Sequence, residues 1–177
     1  KLKVLRELGV NRISLGVQSF QDEMLDAIGR RQSSSQALDA YDRIREAGFD
    51  NVNIDLMFAL PNQTMDLWIR DLEKLRELSP DHVSTYCLTF EEDTALYVKL
   101  SKGQIIQDVE READFYERTW ERLDAMGLQQ YEVSNFTRPG KACQHNLNTW
   151  KMHEWIGFGP SASSQFAGRR FTNDANL

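Results

Sequence analysis

The residues best suited to chemistry in this chain are a few polar side chains at strand ends and one histidine set among tryptophans. Asp55 stands two positions from Asn53 in the otherwise apolar stretch Val52-Asn53-Ile54-Asp55-Leu56. Alternation along a strand puts both on one face, where carboxylate and amide can take hydrogen bonds from a ribose diol or an amine. Gln18 closes Ile13-Ser14-Leu15-Gly16-Val17-Gln18 and offers a donor and an acceptor on the corresponding face. Arg30 lies in the following loop, where a guanidinium can grip a carboxylate. His145 precedes Trp150 and Trp155, so an imidazole able to ligate a metal or heme iron has apolar walls nearby.

Each of these has a plainer reading. Polar groups on one strand face also satisfy one another, although an unpaired buried carboxylate is costly. Arg30 reads equally as a solvated surface charge, and His145 as a hydrogen-bonded structural histidine. His82 and His153 take the structural reading. Cys143-Gln144-His145 has the form of half a metal site without a second half. Gly157-Phe158-Gly159-Pro160-Ser161 lets backbone approach a ligand closely, or simply makes a tight turn.

A phrase repeated along the chain supplies the elements that would position these residues. Arg6-Glu7-Leu8-Gly9-Val10-Asn11-Arg12-Ile13 recurs as Arg45-Glu46-Ala47-Gly48-Phe49-Asp50-Asn51-Val52 and as Arg76-Glu77-Leu78-Ser79-Pro80-Asp81-His82-Val83. Each copy reads as the last turn of a helix, a Gly or Ser stop and the start of a strand. The strands, over residues 12–17, 52–58 and 83–88, then split by alternation. One face (Ile13, Leu15, Val17; Val52, Ile54, Leu56; Val83, Thr85, Cys87) is mostly apolar and suits covering helices. The other (Ser14, Gly16, Gln18; Asn53, Asp55, Met57; Ser84, Tyr86, Leu88) is too polar for a filled barrel core and suits a ligand. Between the strands, Ser33-Ser34-Ser35 caps a helix buried through Ala37, Tyr41, Ile44 and Ala47. Thr64 caps another buried through Trp68, Leu72 and Leu75. Strands alternating with helices predict a parallel α/β sheet or barrel, with ligands at the carboxyl ends of the strands. Beyond residue 91 the pattern changes to one long helix with the stripe Val109, Ala113, Tyr116, Trp120 and Leu123, then a short strand over residues 131–136.

Composition narrows the function. The 177 residues carry a net charge of −6, which argues against nucleic acid as a partner. No stretch approaches the ~20 apolar residues of a membrane span. The two cysteines are far apart, which points to a reduced, cytoplasmic setting rather than a disulfide framework. The chain starts within a helix and stops at Asn176-Leu177 with no closing element, so further strands are expected upstream.

Several motifs then fall in register. Arg12-Ile13-Ser14-Leu15-Gly16-Val17-Gln18-Ser19-Phe20, Asn53-Ile54-Asp55-Leu56, Leu60-Pro61-Asn62-Gln63-Thr64, Tyr131-Glu132-Val133-Ser134-Asn135-Phe136, His145-Asn146-Leu147-Asn148-Thr149-Trp150 and Gly157-Phe158-Gly159-Pro160-Ser161-Ala162 follow in order. Together they resemble the oxygen-independent coproporphyrinogen III oxidase-like radical SAM family over nearly the whole chain. The resemblance implies an open six-stranded (β/α) barrel, TIM-like, of which residues 1–91 hold the last three βα units. Residues 92–177 would begin an α+β accessory region packed on the barrel, incomplete at its end. It further implies S-adenosylmethionine beside a [4Fe-4S] cluster, with Gln18, Arg30 and Asp55 at cofactor-contacting positions and Thr89 and Ser163 at two more. The cluster's C-x-x-x-C-x-x-C loop is not in this sequence.

Within that family a His-Asn-x-x-Tyr-Trp motif marks a heme chaperone branch, and it falls on His145, Asn146 and Trp150, with Thr149 where the branch has Tyr. The resemblance thus implies heme binding with His145 as iron ligand, and transfer to heme-accepting proteins, membrane-bound ones among them. A cytoplasmic protein, with a homodimer as its candidate assembly, is the corresponding expectation. The alternative within the family is an oxygen-independent coproporphyrinogen III dehydrogenase of porphyrin biosynthesis.

Overall fold

The computed structural model describes residues 1–92 and 94–175. Asn176 and Leu177, where the sequence shows no closing element, lie outside them. The elements run α1 (Leu2–Glu7), β1 (Ile13–Gln18), α2 (Asp22–Ala27), α3 (Ser34–Glu46), β2 (Val52–Phe58), α4 (Met65–Leu78) and β3 (His82–Cys87). There follow α5 (Ala95–Ser101), α6 (Val109–Ala125), β4 (Gln129–Gln130), β5 (Asn135–Thr137), α7 (Gln144–Trp150), β6 (Ser163–Phe166) and β7 (Arg169–Thr172).

The repeated phrase folds as its pattern predicts. Gly9, Gly48 and Ser79 follow α1, α3 and α4 with φ of 88°, 85° and 50°, the left-handed state that stops a helix. At Gly48 a Cβ would also stand 3.3 Å from Arg6 Nε, the head of an exposed, flexible side chain. Ser33 caps α3 in a full capping box with Gln36, and Thr64 Oγ1 accepts from Leu67 N to cap α4.

The sheet order is β1-β2-β3-β5-β4. β1, β2 and β3 are parallel, with Ser14 opposite Asn53 and Asp55 opposite Ser84. β5 joins β3 antiparallel. The apolar face buries Val17, Val52, Ile54, Leu56, Phe58 and Val83 under α3 and α4, which contribute Ala37, Tyr41, Ile44, Trp68, Leu72 and Leu75. Ala47 is half-buried at the edge of this core.

Two sequence expectations are corrected. The expected strand over 131–136 begins only at Asn135, because Ser134 N turns back to Glu132 Oε1 at 3.1 Å. The buried stripe of α6 is Phe115, Thr119 and Leu123, while Val109 and Trp120 are exposed. The helix is rotated from the expected face, so that Tyr116 packs edge-on to Phe58 at the margin of the core, not at its centre.

The chain divides into two compact units, Lys1–Lys141 and Ala142–Leu177. The parallel ladder ends with β3, close to residue 91. The first unit nevertheless continues to Lys141, since Phe115, Leu123, Leu128 and Phe136 share its core. The second unit holds α7 and the β6–β7 hairpin, with Trp155 bridged to Gln165. Among the described residues no helix is long and apolar enough to cross a membrane.

Candidate functional site

The inner face of the sheet carries a continuous hydrogen-bond network built from the alternation of β1, β2 and β3. Asn53 is its hub. Its Nδ2 donates to Ser14 Oγ at 2.6 Å and to Asp55 Oδ1 at 2.7 Å, which leaves Oδ1 facing His82 Nδ1 at 2.6 Å. With Asn53 so oriented, Nδ1 of His82 must carry the proton and donate, and Nε2 accepts from the Tyr131 hydroxyl at 2.8 Å. Burial, and then the charge of Arg12, push His82 down to about 3, so the ring is neutral. Ser84 Oγ donates to Asn135 Oδ1 at 2.7 Å, and Asn135 Nδ2 donates to Glu132. The lower half of the inner face thus satisfies itself, and His82 is structural.

Nearer the carboxyl ends the face has spare capacity. Asp55 is half-buried, and each oxygen has one donor, Ser14 Oγ to Oδ2 at 3.2 Å and Asn53 to Oδ1. A carboxylate has room for further donors, so the hydroxyls of a diol fit here. Gln18 is buried at φ 70°, and β1 slips register between Gly16 and Gln18. Its side chain folds over Gly16, with Nε2 3.0 Å from where a Gly16 Cβ would stand. Thr89, just past β3, and Arg30, after α2, are both exposed. Asp55, Gln18 and Thr89 therefore belong to one end of one sheet.

Residues absent from the sequence-based candidates hold the loops at this end. Asp71 of α4 is fully buried and accepts from Ser19 Oγ at 2.7 Å, Phe20 N at 2.8 Å and Gln21 Nε2 at 3.3 Å. Burial pushes its carboxyl up to about 6 despite those donors. Arg111 of α6 donates from Nη2 to Leu60 O at 3.2 Å and Gln63 O at 2.5 Å, tying down the loop after β2. Within that loop Gln63 Nε2 is buried and has no partner among the described residues. Asp71 had a readable signal, a lone acid on the stripe Trp68, Leu72 and Leu75; Arg111 had none.

The second unit, taken alone, contains His145, Thr149, Trp150 and Ser163. The His145 ring is exposed and meets Trp155 edge-on, with centroids 5.4 Å apart. Arg170 lies over the same indole at 5.9 Å. Trp150, 62% exposed, lines a cleft of about 650 Å³ with Thr149, Met152, Glu154, Arg169 and Arg170. Thr149 spends its hydroxyl on His145 O at 2.9 Å. Ser163 Oγ pairs with Thr172 Oγ1 at 2.9 Å.

The donor sets differ in what they fit. The inner face suits a hydroxyl-bearing ligand. It does not suit an iron–sulfur cluster: no group of three metal-ligating side chains occurs among the described residues, and burial holds the Cys87 thiol up at about 11. His145 offers an exposed imidazole edge-on to the Trp155 indole, a donor able to take a metal ion.

Residues 1–75 match the Radical SAM superfamily. In fold, the chain superposes on coproporphyrinogen III oxidase (HemN) from Escherichia coli, a radical SAM enzyme, with a TM-score of 0.77 at 24% identity. That match covers 99% of this chain and 44% of the other. Residues 1–75 thus carry a Radical SAM domain, and the chain has the fold of part of the HemN chain. At the level of sequence it is similar to the heme chaperone HemW of Bacillus subtilis (strain 168), 39% identical over 98% of this chain and 46% of that protein. It is likewise similar to HemW of Lactococcus lactis, 41% identical over 97% of this chain and 46% of that protein. The chain therefore spans a little under half the length of these relatives.

Proposed function

We propose that this chain is the part of a radical SAM heme chaperone that binds heme through His145 and passes it to acceptor proteins. The observation that carries this is the exposed imidazole of His145 seated on Trp155, in a chain about two-fifths identical to proteins named heme chaperones. In the same reading the inner face at Gln18, Asp55 and Thr89, with Arg30 from the neighbouring loop, contributes to holding S-adenosylmethionine in the whole protein. Ser163 is a further candidate on sequence position alone. Bound beside S-adenosylmethionine, a [4Fe-4S] cluster supplies an electron for its cleavage; the cysteines it needs are not in this chain, and no step of that chemistry belongs to these residues.

What these residues do is simpler. Asp55 accepts hydrogen bonds from ligand hydroxyls while Asn53 and Ser14 hold its carboxylate in place. Gln18 presents its amide across Gly16. His145 offers a ring nitrogen, and Trp155 limits the orientations the ring can take. Porphyrinogen decarboxylation, the alternative, has the shared barrel in its favour and no side chain of this chain that speaks for it. Replacing His145 by Ala in the full-length protein should abolish or shift the heme absorbance band. An unaltered spectrum would make His145 structural and remove the reading.

A further inference from the structure

We propose that Asp71, buried behind the sheet on α4, is the positioning residue that sets the ligand-facing turn at the end of β1. The proposal rests on the reading of Gln18 and Asp55 as cofactor contacts. Three consecutive residues after Gln18 are tied to this one carboxylate: Ser19 through its hydroxyl, Phe20 through its amide and Gln21 through its side chain. Ser19 Oγ in turn accepts from Gln21 N at 3.0 Å, so the turn is closed on itself as well as on α4. The residue immediately before the turn is Gln18, at φ 70° and one register step out of line with β2.

A left-handed backbone is uncommon for a residue with a Cβ and persists only where the surroundings hold it. A register slip at a strand end re-aims the residue that follows it, so the backbone there needs holding. The ties to Asp71 hold the chain just past the slip, where the left-handed Gln18 carries its amide to within 3.0 Å of where a Gly16 Cβ would stand. Asp71 touches no ligand-facing atom. It acts through the turn.

Core stability alone explains Asp71 poorly. Its neighbours on α4, Trp68, Leu72 and Leu75, are apolar and almost fully buried, and an apolar side chain at the same position would avoid desolvating a carboxylate. Burial already pushes this carboxyl up to about 6, so it sits there at a cost. What a hydrophobic residue cannot do is accept from Ser19, Phe20 and Gln21 together.

The test is a calorimetric titration of S-adenosylmethionine into the full-length, cluster-loaded protein, comparing wild type with Asp71→Ala, Asp71→Asn, Ser19→Ala and Asp55→Ala. Asp71→Ala should weaken binding roughly tenfold or more while the circular dichroism spectrum stays native. Asp71→Asn keeps an acceptor for Phe20 N and should restore most of the loss, which a generic packing defect would not distinguish. Ser19→Ala should move affinity in the same direction by less, and it decides the matter if Asp71→Ala does not fold. Unchanged affinity in folded Asp71→Ala, or in Ser19→Ala when that variant decides, overturns the proposal. If Asp55→Ala leaves affinity unchanged, the inner-face reading has failed instead. The role of Asp71 is then read from amide exchange at Gln18 and Phe20, which Asp71→Ala should speed about tenfold or more and which, if unchanged, sinks it.

Discussion

At His82 the charge state follows from the hydrogen bonds around it. Asn53 turns its carbonyl to Nδ1 because its amide nitrogen is committed to Asp55 and Ser14, and the Tyr131 hydroxyl needs a lone pair at Nε2. Folded His82 resists protonation to about 3, against 6.5 in the unfolded chain. The folded state therefore binds fewer protons across that window. The stability that comes from the neutral ring is complete above pH 6.5 and is lost as the pH falls toward 3, by up to about 1.4 kcal/mol per pH unit. Asp71 works the other way: its carboxyl is raised from 3.8 to about 6, so the folded state gains stability as the pH falls through that range. Acid sensitivity should thus open near pH 6.5 and be partly offset below about 6. His82→Gln removes only the first effect. We expect the variant to be less stable by about 1–3 kcal/mol near neutrality. The gap to wild type should narrow steadily on acidification, measured by urea unfolding across a pH series. A gap independent of pH would mean that another group sets the acid response.

Between elements, the seam that matters is the one joining α4 to α6, because it brings α6 into the barrel unit. Trp68 and Phe115 both pack on Phe58, with centroids 5.6 and 6.2 Å away. Besides the part-exposed Arg122–Glu73 ion pair at 3.2 Å, one buried polar bond crosses the seam among the described residues: Trp68 Nε1 donates to Thr119 Oγ1 at 2.9 Å, and Thr119 donates its own hydroxyl proton to Phe115 O at 2.6 Å. Both side chains are buried, so the indole N–H has no water to turn to. Thr119→Val keeps the shape and removes the acceptor, at an expected cost of about 1–3 kcal/mol. Adding Trp68→Phe should recover part of that loss by removing the unpaired donor, though the smaller ring leaves a void. Urea unfolding of the two single variants and the double variant measures the coupling. Strict additivity would show that the bond contributes nothing beyond packing.

For the whole molecule, the governing fact is that the chain spans 46% of each HemW relative it matches. β1 pairs only with β2 among the described strands, and the segment that precedes it in sequence exposes Val4, Leu5 and Leu8. An open edge of a parallel sheet next to exposed apolar side chains invites pairing with another chain. Residues 1–177 made alone should therefore self-associate, and the β1 amides should exchange faster than those of β2. Light scattering and hydrogen exchange test both. A monomer with β1 protected as strongly as β2 would show that the edge is stable unaided.

Much of this was determined by the sequence itself. The repeated phrase specified three helix stops and three parallel strands, and alternation assigned Asn53, Asp55 and Ser84 to one face, because capping and strand period depend only on near neighbours. The motifs in register specified the superfamily. Tertiary structure alone decided what those side chains do. Asn53 meets His82, Asp71 meets Ser19 and Phe20, and Arg111 meets Leu60 only once distant segments pack, so no local pattern encodes these pairs. The left-handed state of Gln18 has the same origin: the chain within β1 favours an extended residue there, and the surrounding contacts override it.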